Sequence, residues 1–405
     1  MSDLPSFPFA VDPSVEPPAE YAAMRAGPRP GRVRLPSGRE ALLVTRYPDV
    51  RLVLSDRRFS RSAYTAGTLF ARSADSLPLI TTDAPVHTRR RGTVVPAFTA
   101  HQVGRLRPMV EDLARRQLAE FAAGPRPADV VGRFTVPFTL RVMCRLMGVP
   151  EADMPRFGPW VDSMMSINRV PGEEVDRCHR EMHGYFADLV DTLRARLDRG
   201  EAPSGLIVRM MTQQRPDRQL SRAEVVVLSA GMLMAGYETT SNVLAVLLYH
   251  ILRRPELVER ARGGPASLDP LLEELLRHVC ANGSGGVPHV ATTDVTLSDG
   301  SVVAEGEVVV PVPDAANRDP DVFADPDRID PDRTENPHVA FGFGAHHCLG
   351  AELARLELRV GVAMLLEKLP RLRIAVPEEA LRWRTDMYVR GLWELPLEWD
   401  GAVGG

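Results

Sequence analysis

The sharpest chemical pattern in the chain is Phe341-Gly-Phe-Gly344-Ala-His346-His347-Cys348-Leu-Gly350, which fits F-x-x-G-x-x-x-C-x-G and runs straight into a helical pattern. A thiolate offered to the face of a flat macrocycle needs glycines that let the backbone approach. It also needs amides aimed at sulfur and a following helix whose positive end favours the anion. A small buried cysteine beside a turn would not call for Phe341, Gly344 and Gly350 at these offsets. Zinc is the poorer reading, because His346, His347 and Cys348 are too nearly adjacent to wrap one tetrahedral ion.

Three further groups have types and spacings suited to chemistry. Ala235-Gly236-Tyr237-Glu238-Thr239-Thr240 sets an acid beside an alcohol, a pair able to relay protons, although a helical threonine usually bonds back to a carbonyl. Glu274-Leu-Leu-Arg277 places acid and base three apart on one helix face; exposed to water, such a pair contributes under about 1 kcal/mol. Asp83-Ala-Pro85-Val-His87-Thr-Arg89-Arg90-Arg91 is a basic helix start, suited either to anionic groups or simply to solvent.

With these residues in hand, the cysteine segment resembles the ligand loop of the cytochrome P-450 family, the haem-thiolate monooxygenases. The hexamer at Ala235 resembles the family's A-G-x-[D/E]-T-[T/S] segment over the distal haem face. There Ala235 and Gly236 leave room for dioxygen, and Glu238 and Thr239 are the acid and alcohol that deliver protons. Glu274 and Arg277 match the E-x-x-R pair, with Arg333 as the third member of a lock on the segment carrying the ligand loop. His87, Arg91 and His346 match contacts to the haem propionates. The match departs at Gly286-Val287-Pro288-His289, where relatives carry an arginine after the proline. His289 implies a weaker, titratable partner. Asn282-Gly283-Ser284-Gly285-Gly286 implies a more open wall or a plain glycine-rich turn. Arg89 and Arg90 are offered as an outward patch for an acidic ferredoxin.

Positioning these groups requires a mainly helical chain with small sheets near its N-terminal and C-terminal parts. Val33 and Leu35, a Ser37-Gly38 turn and Ala41 to Val44 predict a hairpin. Val175, Cys178, Met182, Tyr185, Leu189, Leu193 and Leu197 fall on one helical face. Ser221 and Glu224 form a capping box opening a helix over 222–252, with Leu220 and Val225 as a hydrophobic staple. A second hairpin is expected at 294–312 around Asp299-Gly300, then extended chain to about Pro337. A helix follows over 351–369, and the alternation from Trp383 to Trp399 predicts a last hairpin. No linker or repeat divides the chain, so residues 1–405 are read as one domain.

Composition agrees with an enzyme-sized globular protein: 405 residues, 44% apolar and 25% charged. The net charge of −4 gives no positive field for nucleic acid or an anionic membrane. Cys144, Cys178, Cys280 and Cys348 are scattered without CxxC spacing, which fits reduced thiols in the cytoplasm. The first residues lack the pattern of a signal peptide. Val225 to Tyr249 is apolar enough to mimic a membrane span, but the polar run from Glu238 to Asn242 at its centre argues for a buried helix instead.

The resemblance implies haem b held by Cys348, between the helix of Glu238 and the helix after Cys348. It implies insertion of one oxygen atom of dioxygen into a carbon–hydrogen or carbon–carbon double bond. Electrons would come from a separate ferredoxin and its NAD(P)H-dependent reductase, and a monomer is expected. Alternatives are a peroxide-driven oxidase, a ring-forming oxidative cyclase and a non-enzymatic haem sensor. Wall positions at 61–80, Met232 to Ala235, Gly285 to Val287, Tyr388 and Val389 favour a bulky lipophilic guest such as a macrolide, polyketide or terpenoid.

Overall fold

A computed structural model of the chain describes residues 4–9, 16–64, 78–167, 169–279 and 286–401. The expectations placed on 65–77, on Cys280 and on Asn282 to Gly285 lie outside the described residues. The chain runs α1 (Ala19–Ala26), β1 (Gly31–Arg34), β2 (Glu40–Val44), α2 (Tyr47–Ser55), β3 (Phe59–Ser60), α3 (Val86–Val94), α4 (Ala100–Ala122), β4 (Ala128–Asp129), α5 (Val136–Met147), α6 (Phe157–Met164), α7 (Gly172–Asp198), α8 (Leu206–Met211) and α9 (Arg222–Leu252). It continues with α10 (Pro255–Arg262), α11 (Pro265–His278), β5 (His289–Ala291), β6 (Val295–Thr296), β7 (Val302–Val303), β8 (Val308–Pro311), α12 (Pro313–Ala316), α13 (Ala351–Lys368), β9 (Arg373–Ile374) and β10 (Pro396–Glu398). These elements gather into two compact units, one of residues 1–68, 246–349 and 382–393, the other of 69–245, 350–381 and 394–405.

The first unit is organised by a five-stranded sheet in the order β1-β2-β8-β5-β3. The expected N-terminal hairpin forms, with Val33 opposite Ala41 and Gly38 at φ +79° in the turn, a conformation glycine adopts without steric cost. Beyond it β2 runs parallel to β8, Leu42 facing Val309. Side chains alternate across a strand, so Leu42 and Val44 enter a cluster with Val50, Val309 and Phe323. Ala41 and Leu43 enter another with Tyr21, Val33 and Val310. Beyond the exposed Glu40 both faces of β2 are therefore buried, and its run Ala41 to Val44 is apolar throughout rather than alternating. The second expected hairpin is β6 with β7, turned at Gly300 with φ +82°.

The second unit is mostly helical. Helix α9 opens at the predicted capping box: Glu224 N–H donates to Ser221 Oγ at 3.2 Å, and Ser221 N–H donates to Glu224 Oε2 at 2.9 Å. Helix α13 packs on α4, and at Gly361 a Cβ would lie 2.9 Å from Leu244 of α9. Helices α6 and α7 meet through an aromatic cluster in which Phe157 and Tyr185 stand edge-on at 5.2 Å. Of the predicted α7 stripe, Cys178, Met182, Tyr185 and Leu193 are buried, whereas Val175, Leu189 and Leu197 are half-buried.

The last predicted hairpin is corrected by tertiary pairing. Between Trp383 and Trp399 the chain turns back only briefly, Trp383 bridging Leu392 with Arg384 N–H donating to Gly391 O at 2.9 Å. Strand β10 instead pairs antiparallel with β4 and β9, Leu397 facing both Ala128 and Ile374. Asp129 holds the join by accepting Leu395 N–H at 2.9 Å. Among the described residues no helix is long and apolar enough to cross a membrane.

Candidate functional site

In the first unit the ligand-type loop is shaped by its backbone. Cys348 N–H donates to Phe341 O at 2.7 Å and His347 N–H to Gly344 O at 3.0 Å, which closes 341–348 on itself. Gly342 and Gly344 both adopt φ +71°. At Gly344 a Cβ would also lie 2.6 Å from Leu54 O of α2, so this position admits glycine on two counts. Gly350 starts α13, its carbonyl accepting Ala354 N–H at 2.8 Å, and a side chain there would meet no atom within 4 Å. The Cys348 side chain is exposed, while Phe341 and His346 are half-buried. Arg51 lies over the ring of Phe343, 4.1 Å from its centre, tying the loop to α2.

Glu274, Arg277 and Arg333 come together as expected. Arg277 donates Nη2–H to Glu274 Oε1 at 2.7 Å and Nε–H to Oε2 at 2.9 Å, and Arg333 Nε reaches Oε2 at 3.2 Å. The carboxylate also accepts Asp330 N–H at 2.8 Å and Asn336 Nδ2 at 3.3 Å. Arg277 spends its remaining donors on the carbonyls of Asn317, Pro326 and Arg328. Glu274 and Arg277 are each 1% exposed, so the pair is a buried lock and not a surface pair. Asp330 and Asn336 are members that sequence reasoning missed; no periodicity marks residues of extended chain.

His289, expected as a weaker, titratable contact, is buried on β5. Arg61, directly after β3, donates its Nε–H to His289 Nε2 at 3.0 Å. Tyr388, one of the expected wall positions, is half-buried, and burial with Tyr64 nearby pushes its phenol up.

In the second unit, Glu238 is buried and accepts Asn242 Nδ2–H at 3.2 Å on Oε1, one turn along α9. Thr239 is half-buried and donates its hydroxyl to Ala235 O at 2.7 Å, the back-bond usual for a helical threonine. Acid and alcohol are thus both on the helix, the alcohol donating to a carbonyl of the preceding turn. Ala235 is exposed and Gly236 half-buried. Gly236 has a packing reason that the sequence did not suggest: a Cβ would press on the Met143 sulfur of α5 at 2.4 Å.

His87 and Arg91 lie one turn apart on α3, His87 buried and Arg91 half-buried. Arg89 and Arg90 are corrected. Instead of facing outward together they both bind Glu224, Arg90 Nε at 3.0 Å with only 5% of the residue exposed, and Arg89 through Nη1 at 3.1 Å. The capping carboxylate of α9 thus joins α3 to α9. The two guanidiniums and the Ser221 amide hold it at a pKa of about 2 against the cost of burial.

A cavity of about 30 Å³ opens beside α9 in this unit, lined by Val227 and Met234 with Pro78, Met164, His179 and His183. Of the expected wall stretches, 61–80 contributes Pro78 and Met232 to Ala235 contributes Met234. The histidines of α7 were not foreseen, because they lie beside the apolar stripe that identified the helix. Their rings are 6.2 Å apart, and burial pulls His183 below the ordinary histidine range.

A thiol on a glycine-shaped loop, with imidazole and guanidinium groups suited to carboxylates, is a donor set that fits haem. Comparison with known proteins agrees. The family described as Cytochrome P450 matches residues 33–263 and 267–374. The chain is similar to a mycinamicin IV hydroxylase/epoxidase of Micromonospora griseorubida, 40% identical over 371 residues, which is 91% of this chain and 92% of that protein. It is also similar to a nocardicin C N-oxygenase of Nocardia uniformis subsp. tsuyamanensis, 35% identical over 98% of this chain and 99% of that one. Among solved structures, the LnmA cytochrome P450 hydroxylase of the leinamycin pathway of Streptomyces atroolivaceus superposes with a TM-score of 0.88 at 38% identity, covering 98% of this chain and 100% of that one.

Proposed function

Because the chain belongs to the cytochrome P450 family and is a monooxygenase of secondary-metabolite tailoring, we propose that it uses haem b bound through Cys348 to oxygenate a bulky lipophilic natural product, of macrolide, polyketide or terpenoid type. In the balanced reaction a substrate carbon–hydrogen or carbon–carbon double bond takes one oxygen atom of dioxygen. The other atom leaves as water with two electrons and two protons. Electrons come from NAD(P)H through a separate reductase and ferredoxin. When bound, the haem supplies the dioxygen-activating chemistry.

The residues of this chain divide the remaining work. Cys348 is the iron ligand, and the closed loop with Gly344 fixes where its sulfur lies. His87, Arg91, His289 and His346 hold the propionates. Glu238 is a buried carboxylate with Asn242 as its neighbour, and it moves protons with Thr239. The Glu274–Arg277–Arg333 lock supports the chain that leads into the ligand loop. An acid beside an alcohol supports the dioxygen route over a peroxide-driven one, because dioxygen must be supplied with the two protons that hydrogen peroxide already carries.

The single observation that carries the reading is the glycine-shaped 341–348 loop ending in an exposed Cys348 thiol. The test is the absorption spectrum of the reduced, carbon-monoxide-treated protein. The red-shifted thiolate band is expected in the wild type and absent in Cys348→Ser. A Ser variant with an unchanged spectrum would overturn the assignment.

A further inference from the structure

Strand register delivers a buried arginine to the position where the cofactor contacts look weakest. β3 and β5 run antiparallel with Phe59 opposite Ala291 and Ser60 opposite Val290, so the next rung sets Arg61 against His289. Both residues are buried, 6% and 2% exposed, and Arg61 Nε meets His289 Nε2 at 3.0 Å. A guanidinium keeps its protons in a folded protein, which fixes the direction of this bond: Arg61 donates and His289 accepts. An imidazole that accepts at Nε2 is neutral and carries its proton at Nδ1. The ring thus keeps one N–H to donate, and a permanent positive charge stands directly behind its other nitrogen. A lone neutral imidazole offers a carboxylate an ordinary hydrogen bond. One backed by a guanidinium offers a bond in a positive field, which is stronger.

Resting on the reading of His289 as a haem contact, we propose that Arg61 and His289 act as one cationic unit toward a haem carboxylate. Arg61 is the positioning residue: it sets the tautomer and orientation of His289 and carries the charge that histidine lacks. The unit is assembled across the sheet from two distant segments.

The experiment uses holoenzyme and four variants: Arg61→Gln, His289→Ala, the double Arg61→Gln/His289→Ala, and Arg61→Gln/His289→Arg. Two quantities are read, the rate at which haem passes to excess apomyoglobin and the reduction potential from a spectroelectrochemical titration. Arg61→Gln is expected to speed haem transfer about ten-fold, the loss of one hydrogen bond to a charged group, and to lower the potential by removing a positive charge. The double variant should be no worse than either single change, because the two residues work as a unit. Arg61→Gln/His289→Arg should return both readouts toward wild type, a rescue that a merely structural arginine would not show.

Wild-type transfer rate and potential in Arg61→Gln, additive losses in the double variant, or no rescue by arginine at 289 would each overturn the proposal. If Arg61→Gln does not fold, His289→Asn takes its place, and unchanged readouts there overturn it equally. The thiolate band of the reduced carbon-monoxide complex keeps the two readings apart. Its absence from the wild type defeats the Cys348 assignment; with the band present, unmoved transfer rates in His289→Ala defeat the His289 contact, and unmoved rates in Arg61→Gln alone defeat only the role of Arg61.

Discussion

Arg277 grips Glu274 with two parallel hydrogen bonds, 2.7 and 2.9 Å, in a place where neither residue is more than 1% exposed. That carboxylate accepts five donors from four residues, two from Arg277 and one each from Arg333, Asp330 and Asn336. Glu274→Ala therefore leaves two guanidiniums facing each other without their shared anion. Removing one member of a buried charge pair costs about 3–5 kcal/mol. The expected outcome is a chain that purifies with little haem and a lowered urea midpoint. Full haem content at the wild-type midpoint would contradict it.

A second prediction concerns acid stability. His278 accepts from Arg318 at 3.1 Å on Nδ1, and its Nε2 lies 3.1 Å from Asp327 O; His250 accepts from Arg254 at 3.2 Å. Burial, with neighbouring arginines adding to it, pulls His250 down to about 3 and His278 down to about 2. Above about pH 6.5 both rings are neutral folded or unfolded, so they confer no pH dependence. Below it the unfolded chain takes up protons that the fold refuses, and stability falls by about 1.4 kcal/mol per pH unit for each histidine. Urea midpoints between pH 7 and pH 5 should show this decline. His278→Asn should flatten it, and an unaltered slope would remove His278 from the account.

The third prediction has the opposite sign. Glu357 on α13 is 1% exposed, its Oε2 has no hydrogen-bond partner among the described residues, and burial raises its pKa well above the ordinary carboxylate value. Burial favours the protonated carboxyl in the fold more than in the unfolded chain, so stability is lost as pH rises above the usual carboxylate range. Glu357→Gln, equal in shape and uncharged in both states, should raise the melting temperature at pH 7 and leave it unchanged near pH 4. A lower melting temperature at pH 7 would mean that the ionised carboxylate has a partner there.

The features legible in the sequence are those written locally. The start of α9 was legible because Ser221 and Glu224 are three residues apart, and the Cys348 loop because its glycines meet a local steric demand. Arg61 could not be foreseen beside His289, nor Asp330 beside Glu274, because sheet register and extended chain bring them together from afar. The same holds for β10: the alternation in 383–399 was real, but nothing in that stretch says that Ala128 and Ile374 supply its neighbours. Arg90 looked like surface because charge suggests solvent, and only the position of Glu224 shows where it is satisfied.

The parallel pairing of β2 with β8 bears on the birth of the chain. Leu42 leaves the ribosome long before Val309 exists; at 5–20 residues per second the wait is about 13 to 50 seconds. Throughout that interval an apolar ribbon destined for the centre of a sheet has one flank unclaimed, the situation in which strands join the wrong neighbour. Yield in a heterologous host should therefore depend on trigger-type holdases and slow growth more than on the stability of the finished enzyme.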